Sequence, residues 1–301
     1  MRRILAAVAA LLMIAGGFGL WAVRTGRFSN DKTTSVSIAP GSTTPTDDAP
    51  LRIACIPEAE NACGSIADPL VGFSIEYPNI TEPQIAAKNE AAPDGWITTA
   101  LSYERVRFVN DSFADAVDVA STRIMVVTRL DDANAATACK ADLGCLALAS
   151  KVSFPAVNTT GTGLSISTLA ATASAGADGS VPVLIDDIPN ADAIVAGLQR
   201  ATKSFDPLNP LAKLTSIHLL DAVVLPEVRV RALRPARTAV VPTNVRLAIV
   251  LVLSKSISSE RRKAIVKVVS DTLRSNGFDP PSQPRQVINA TIANDLSKLL
   301  V

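Results

Sequence analysis

Residues 119–128 read Val-Ala-Ser-Thr-Arg-Ile-Met-Val-Val-Thr, and this stretch decides the fold class. Its second part, residues 122–128, is apolar and rich in β-branched side chains, which suits a strand buried on both faces. Shorter runs with strand-like composition or alternation occur on both sides of it. They predict strands at residues 51–56, 72–77, 105–109, 181–185, 223–233 and 246–253.

Segments with helical periodicity separate these strands. A short helix is predicted after Asp111 or Ser112, and Asn190 is predicted to cap another. The remaining helices are predicted at residues 82–92, 132–150, 162–174, 258–275 and 288–300. Because strands and helices alternate along the chain, the sequence predicts an α/β fold with a largely parallel sheet.

The first residues predict a membrane anchor. Two arginines, Arg2 and Arg3, are followed by twenty uncharged residues, 4–23, and a helix of about 20 residues spans the hydrocarbon core of a bilayer. The arginines favour a cytoplasmic N-terminus, and Trp21 suits the opposite interface. The alternative is a cleaved signal peptide that ends after residues 15–17.

Residues 1–27 are therefore assigned to a transmembrane signal-anchor. Residues 28–50 are assigned to a flexible linker, because they are polar and rich in proline, serine and threonine. The rest of the chain is predicted to lie outside the cytoplasm, at the cell membrane. With 29 basic and 28 acidic residues, no basic stripe and 4% aromatic residues, the chain does not match a nucleic-acid-binding protein.

The four cysteines form two close pairs, Cys55 with Cys63 and Cys139 with Cys145. An even number of cysteines in an exported chain predicts disulfides. Three pairings are possible, and the two local ones are favoured because short loops close at the lowest entropic cost. A metal site is the alternative, but the spacing is not CxxC and the chain has a single histidine. We predict no metal and no cofactor.

Residues 92–103 read Ala-Pro-Asp-Gly-Trp-Ile-Thr-Thr-Ala-Leu-Ser-Tyr, and residues 158–165 read Asn-Thr-Thr-Gly-Thr-Gly-Leu-Ser. Together with residues 119–128, and with the strand, helix and Asn-Gly-Phe ending of residues 251–278, they resemble in order and spacing the motifs of bacterial extracellular solute-binding proteins of the type II periplasmic class. The resemblance spans roughly residues 51–285.

This resemblance implies two lobes joined by crossing strands, with a small molecule held between them and closure by hinge motion. Lobe 1 is expected at residues 51–122 and 238–285, and lobe 2 at residues 123–237. Residues 286–301 are expected to form a C-terminal helix. The sequence also departs from the family pattern, because residues 57–71 are too short for the long first helix and Thr98 replaces a proline.

Residues 159–163, Thr-Thr-Gly-Thr-Gly, are the best local candidate for ligand contact. Backbone amides at the start of a helix, with hydroxyls beside them, form a cradle for an anion. We assign ligand contact to Thr160, Gly161, Thr162 and Gly163, with plain helix capping as the alternative.

The resemblance also assigns Trp96, Thr98 and Thr99 to the lining of the cleft. The alternative for Trp96 is a position in the hydrophobic core, which is common for tryptophan.

No catalytic residue is predicted. The adjacent carboxylates Asp131-Asp132 and Asp186-Asp187 face opposite ways on a strand, so they fit turns and helix starts better than an acid–base pair. The sequence has no serine in a GxSxG motif. His218 fits a surface or core position better than a catalytic one. A run of alternating arginines fits a solvated strand face, with contact to an anionic partner as the alternative; these are Arg229, Arg231, Arg234 and Arg237.

The sequence therefore predicts a membrane-anchored, extracytoplasmic protein that binds or senses a small molecule, with an anion as the first candidate. The alternative is an interaction module that kept the fold, lost the ligand and binds a protein partner at the cell surface. The short first segment favours this alternative. A hydrolase is disfavoured because no catalytic constellation is present.

Overall fold

Two long strands, Val117–Arg129 (β3) and Thr238–Leu253 (β6), run antiparallel through the centre of this computed structural model. Residues 122–128 lie inside β3, as the sequence predicts. The structure describes residues 51–65, 93–107, 112–130, 138–157, 161–174, 184–188, 190–216, 218–282 and 289–300. All of them belong to one compact unit, Pro45–Val301, while Met1–Thr44 form a second unit outside the described residues.

The described strands form one six-stranded sheet with the order β1-β2-β6-β3-β5-β4. The four shorter strands are Ile53–Cys55 (β1), Gly95–Thr99 (β2), Val152–Ser153 (β4) and Ala222–Pro226 (β5). Only β1 with β2 and β4 with β5 are parallel, and the three remaining pairings of these strands are antiparallel. The prediction of a largely parallel sheet is therefore wrong, because β3 and β6 cross the sheet in opposite directions.

Nine helices surround this sheet in the described part of the chain. They are Glu60–Gly64 (α1), Ala100–Val106 (α2), Leu143–Leu148 (α3), Gly161–Ser174 (α4), Ala191–Lys203 (α5), Ala212–Thr215 (α6), Glu227–Leu233 (α7), Ser259–Ser275 (α8) and Ala290–Leu299 (α9). Two 3-10 turns, Pro57–Ala59 and Ile185–Asp187, complete the elements.

The sheet divides into two halves with separate cores. In the first half, β1 and β2 lie beside the C-terminal part of β6, and α8 covers one face through Ile265, Val269 and Leu273. In the second half, β4 and β5 lie beside the C-terminal part of β3, and α3, α4, α5 and α9 cover one face. The strands β3 and β6 pass through both halves.

Two predicted strands are helices in the structure. Residues 105 and 106 end α2, although the alternating pattern of residues 105–109 predicted a strand. The run 223–233 is a strand as far as Pro226 and then becomes α7. Pro226 lacks an amide hydrogen and its φ suits the residue before a helix, so the ladder stops there. Arg229 and Arg231 consequently lie on a helix and not on a strand face.

Other boundaries differ from the predictions in smaller ways. Residues 112–116 are not helical. In the helix predicted at 132–150, residue 138 is helical, a turn follows at residues 139–141, and α3 comes next, while residues 132–137 lie outside the described residues. Asn190 occupies the predicted cap position of α5 with φ of 60°, but its side chain makes no capping hydrogen bond. The predicted elements at residues 72–77 and 82–92, and residues 181–183, lie outside the described residues.

Both predicted disulfides are confirmed. Cys55 pairs with Cys63 across a sequence separation of 8, and Cys139 pairs with Cys145 across a separation of 6. The first ties β1 to α1 inside the core of the first half, where both cysteines are buried. None of the described helices is long and apolar enough to cross a bilayer, and the predicted anchor at residues 4–23 lies outside the described residues.

Candidate functional site

The strand directions bring four strand ends to the middle of the sheet, where its two halves meet. We call this region, between the levels of Ala120 and Ile124 of β3, the junction. Thr99, the last residue of β2, is level with Ile249 of β6, which is level with Ala120 of β3. Pro226, the last residue of β5, is level with Ile124 of β3. Because β2 and β5 run toward each other, their carboxyl ends meet here, as do those of their parallel neighbours β1 and β4. Ligands bind at such strand ends in open α/β sheets.

Glu58 follows β1 and is the carboxylate of this junction. It lies in the 3-10 turn inside the loop that the Cys55–Cys63 disulfide closes. The Thr162 side chain, in the first turn of α4, hydrogen-bonds to Glu58, and Arg229 of α7 is close enough to interact with it electrostatically. The pair Glu58–Thr162 therefore joins an element of the first half to an element of the second.

The environment of the Glu58 carboxyl is unusual for a charged group. The residue as a whole is partly exposed, yet its Oε2 atom is shielded from solvent and has no hydrogen-bond partner among the described residues. Burial raises the pKa of Glu58, and the hydrogen bonds from its own backbone and from Thr162, with the charge of Arg229, oppose that rise. A carboxyl group in this setting readily holds a proton or accepts a donor from a ligand.

Buried hydroxyls form a second bridge across the junction. Thr99 caps α2, since its Oγ1 accepts from the Ser102 amide at 3.3 Å, and its hydroxyl donates to Ser102 Oγ at 3.2 Å. From α4, Ser165 Oγ lies 3.1 Å from Thr99 Oγ1 and 2.8 Å from the Gly161 carbonyl oxygen. The start of α2 and the start of α4 therefore meet through hydroxyl groups.

The two glycines of the predicted loop have different neighbours. A Cβ on Gly161 would lie 2.5 Å from Ser102 Oγ, so Gly161 faces the junction. A Cβ on Gly163 would lie 2.3 Å from the Ala156 carbonyl oxygen, so Gly163 faces the backbone of the preceding loop. The structure thus brings Thr99, Gly161 and Thr162 together, while Gly163 supports the loop and Thr160 lies outside the described residues.

Trp96 and Thr98 lie on the opposite face of β2 from Thr99. Both are fully buried, and Trp96 packs with Ala100, Tyr103 and Val250. The Trp96 Nε1 and Thr98 Oγ1 atoms each lack a hydrogen-bond partner within the described ranges. Their assignment to the cleft lining stays a prediction, and the core position weighed for Trp96 is the one the structure shows.

The other candidates from the sequence lie elsewhere. His218 is exposed, and its Nδ1 lies 2.5 Å from an Arg129 nitrogen. Asp186 and Asp187 lie in a 3-10 turn, as their turn-like character suggests. Arg231 pairs with Glu227 one helical turn away at 2.6 Å. Among the described residues, no group of three His, Cys, Asp or Glu side chains can hold a metal ion.

The sequence reasoning missed Glu58, Ser102 and Ser165. A signal for Glu58 was present, because Pro57-Glu58 directly follows an apolar strand and stands between two cysteines. The strand end marks a position where functional side chains gather. Ser102 and Ser165 carried no such signal, since serine at a helix start is usually explained by capping.

The raised pKa gives a testable pH dependence. Because the folded-state pKa of Glu58 lies above the unfolded value of about 4.3, the folded protein holds this proton more tightly than the unfolded chain. The stability that this proton contributes is fully present below the unfolded pKa, and it is lost as pH rises through the folded pKa. We therefore expect Glu58→Gln to gain stability relative to the parent protein as pH rises from about 4 to about 7.5.

Urea unfolding of both proteins across this pH range measures the difference. Glu260→Gln, at an exposed carboxyl on α8, is the matched control. A stability advantage of the Glu58→Gln variant that shrinks as pH rises would contradict the assignment.

Comparison with known proteins supports the fold and not a sequence family. No protein-family profile matches the chain, and no curated protein matches it in sequence. Among solved structures, iron-bound HitA from Pseudomonas aeruginosa is similar, with a TM-score of 0.57, 12% identity and coverage of 83% of this chain and 98% of HitA.

Two further structures agree with this result. The ferric binding protein from Campylobacter jejuni gives a TM-score of 0.53 at 9% identity, over 83% of this chain and 96% of its own. The Trichodesmium protein IdiA (FutA), in complex with iron and citrate, gives 0.54 at 10% identity, over 83% of this chain and 98% of its own. The chain therefore has the fold of the type II periplasmic solute-binding proteins, in a divergent sequence.

Proposed function

We propose that this protein is a membrane-anchored, extracytoplasmic and non-catalytic binder of a small molecule at the junction between its two halves. One observation carries the proposal: Glu58, Thr99, Ser102, Thr162 and Ser165 approach the junction from elements that follow three different strands. A hydrophobic core does not require such a set of polar groups. A ligand site does, because convergent polar groups fix the orientation of a bound molecule.

The crossing strands supply a hinge for ligand entry. The pairing between β3 and β6 is irregular between Asp118 and Ala120 and again between Arg123 and Met125. At the second irregularity, Thr243 Oγ1 donates to the Ile124 carbonyl oxygen at 2.9 Å and so replaces part of the regular ladder. Such interruptions bend and twist a strand locally. Rotation here would separate the two halves and open the junction.

The junction favours an oxyanion as the first ligand class. The α4 helix has 14 residues and begins at the junction, so its amide groups and dipole favour negative charge there. The hydroxyls of Thr162, Ser165 and Ser102 supply further donors, and a protonated Glu58 supplies another. We do not propose ferric ion as the ligand, although two of the similar structures contain iron, because the described junction offers hydroxyls and a single carboxylate.

The ligand test is a thermal-shift screen of the full chain with oxyanions, sugars and amino acids. We expect an oxyanion to raise the melting temperature, because a ligand that binds the folded state stabilises it. Thr162→Ala should remove most of that shift. Thr168→Ala is the matched control, since it removes an equally buried hydroxyl that donates to the Leu164 carbonyl oxygen of its own helix.

An equal loss of the shift in both variants would attribute the effect to packing in α4 and not to ligand contact. Absence of any shift, in the parent protein and with every class of ligand, would count against the binding proposal.

The anchor part of the proposal rests on the uncharged residues 4–23 and on the two disulfides, which fit an oxidising compartment. We expect the full chain to stay in the membrane fraction after alkaline extraction, with its N-terminal residues intact. Mass spectrometry of the purified chain checks this. A mature N-terminus near Phe18, with release from the membrane, would show cleavage in place of anchoring.

A second candidate function is an interaction module that has lost its ligand. The observation in its favour is the direct contact of Ser165 with Thr99 and of Thr162 with Glu58, which lets the halves close on each other without a ligand. Affinity purification of the cross-linked chain from its native membrane separates the two candidates. Recovery of one stoichiometric protein, combined with no response in the ligand screen, would favour the module.

A further inference from the structure

The first half has an end that points away from the junction, and several features meet there. The strands β1, β2 and β3 begin at this end and β6 finishes there, because Ile53 is level with Gly95 and Gly95 with Leu253, while Val117 is level with Leu251. The linker predicted at residues 28–50 leads directly into this end through Leu51, which packs in the same core as α8.

A groove of about 340 Å³ opens at this end between β3, β6 and α8. Its floor is apolar and includes Val117, which is 42% exposed, together with Leu251 and Leu253. From α8, one face of the helix lines the groove, at positions three, four and seven residues apart. These residues are Ser259, Arg262, Lys263 and Val266.

The charge of the chain is concentrated beside this groove. Residues 255–274 contain six lysines and arginines and two acidic residues, although the whole chain carries a net charge of only +1. The remainder of the chain is therefore net negative. Lys263 is exposed, and the Lys267 side chain is 80% exposed one turn further along α8. Three carboxylates, Asp115 in the groove wall and Glu260 and Asp271 on α8, reduce the positive charge but do not cancel it. Asp271 pairs with Lys267 at 2.9 Å, while Arg262 and Lys263 line the groove itself.

We propose that this end of the first half, formed by the groove and the basic start of α8, docks on a membrane surface that contains anionic lipids. The proposal rests on the membrane anchor of the proposed function, because the predicted linker joins the described domain at this end through Leu51. Lysine and arginine are attracted to anionic headgroups within about a Debye length, roughly 8 Å at physiological salt. Val117, the exposed apolar residue of the groove floor, would then lie next to the boundary between the headgroups and the acyl chains.

The orientation has a consequence for the binding site. With the start of α8 on the membrane, the junction at the opposite end of β1 and β2 faces away from the bilayer. The ligand site thus stays open to the surrounding solution while the domain remains close to its anchor.

The test is lysine acetylation footprinting of the full chain in nanodiscs made of phosphatidylcholine alone or of phosphatidylcholine mixed with phosphatidylglycerol. We expect labelling of Lys263 and Lys267 to fall several-fold in the anionic discs, and added salt to restore it. Lys298, on α9 of the second half, is 78% exposed and is the internal control. Arg262→Glu should restore labelling at Lys267, whereas Lys298→Glu should not.

Equal labelling of Lys263 in the two lipid compositions would overturn the proposal, as would protection of Lys263 and Lys298 alike. Co-elution of the chain with the discs reports on the anchor separately. If the chain does not co-elute, flotation of the same protein with phosphatidylglycerol vesicles decides the question. Flotation that Arg262→Glu abolishes would support the surface, and absence of flotation would reject it.

Discussion

Replacing Gly163 by alanine is expected to lower the stability of the folded protein by about 2–3 kcal/mol. The new Cβ would lie 2.3 Å from the Ala156 carbonyl oxygen and 2.7 Å from the Pro155 carbonyl oxygen. Both obstacles are backbone atoms, so no side-chain rotation relieves the overlap. The higher helix propensity of alanine offsets less than about 1 kcal/mol of this loss of stability.

Thermal and urea unfolding measure this loss, and we expect the melting temperature to fall by about 4–12 °C. Gly161→Ala is an informative comparison, because its Cβ would meet the Ser102 hydroxyl, a side-chain atom that can rotate away. Gly64→Ala is the neutral control, since nothing lies within 4 Å of its Cβ position. A Gly163→Ala protein as stable as Gly64→Ala would contradict the close approach of Gly163 to the Ala156 backbone.

The second large effect is expected from removal of the Cys55–Cys63 disulfide. The double variant Cys55→Ala/Cys63→Ala should lose about 2–4 kcal/mol, because the unfolded chain regains the freedom of the closed loop. Both sulfur-bearing residues are also buried in the core of the first half. The same loop holds Glu58, so the variant should also lose the pH-dependent part of stability that the buried Glu58 carboxyl causes.

The matched control is Cys139→Ala/Cys145→Ala. That loop is similar in length, with a sequence separation of 6 against 8, but it ends inside α3 at Cys145 and contains no junction residue. We expect a comparable entropic loss there with the pH dependence unchanged. An identical pH dependence of stability in both double variants would contradict the claim that the Cys55–Cys63 disulfide holds Glu58 in its buried position.

The crossing strand and the disulfides were predictable because their signals are local and strong. Residues 122–128 are apolar and β-branched without interruption, and the cysteines stand in two close pairs. The strand β5 and the helix α7 were merged in prediction, since the alternation of Val228, Arg229 and Val230 fits a strand as well as a helix with two buried positions. Tertiary packing decides such short segments, and periodicity alone does not.

The junction could be predicted only in part. Thr99, Gly161 and Thr162 were assigned to ligand contact because their loops resemble those of a known class, and the structure places them together at the junction. Glu58 and Ser165 become neighbours of these residues only through the opposed directions of β2 and β5, which a sequence without a fold does not reveal. The mixed sheet has the same origin, because the antiparallel pairings all involve the two crossing strands.

The central claim is that a small molecule binds where the first turns of α2 and α4 meet. Hydrogen exchange of the full chain, with and without the oxyanion that gives the largest thermal shift, tests this claim most directly. We predict slower exchange in residues 99–103 and in residues 161–165 at the same ligand concentration, since the two segments belong to different halves and share one ligand. Slower exchange in one of these segments alone, or in neither, would contradict the claim.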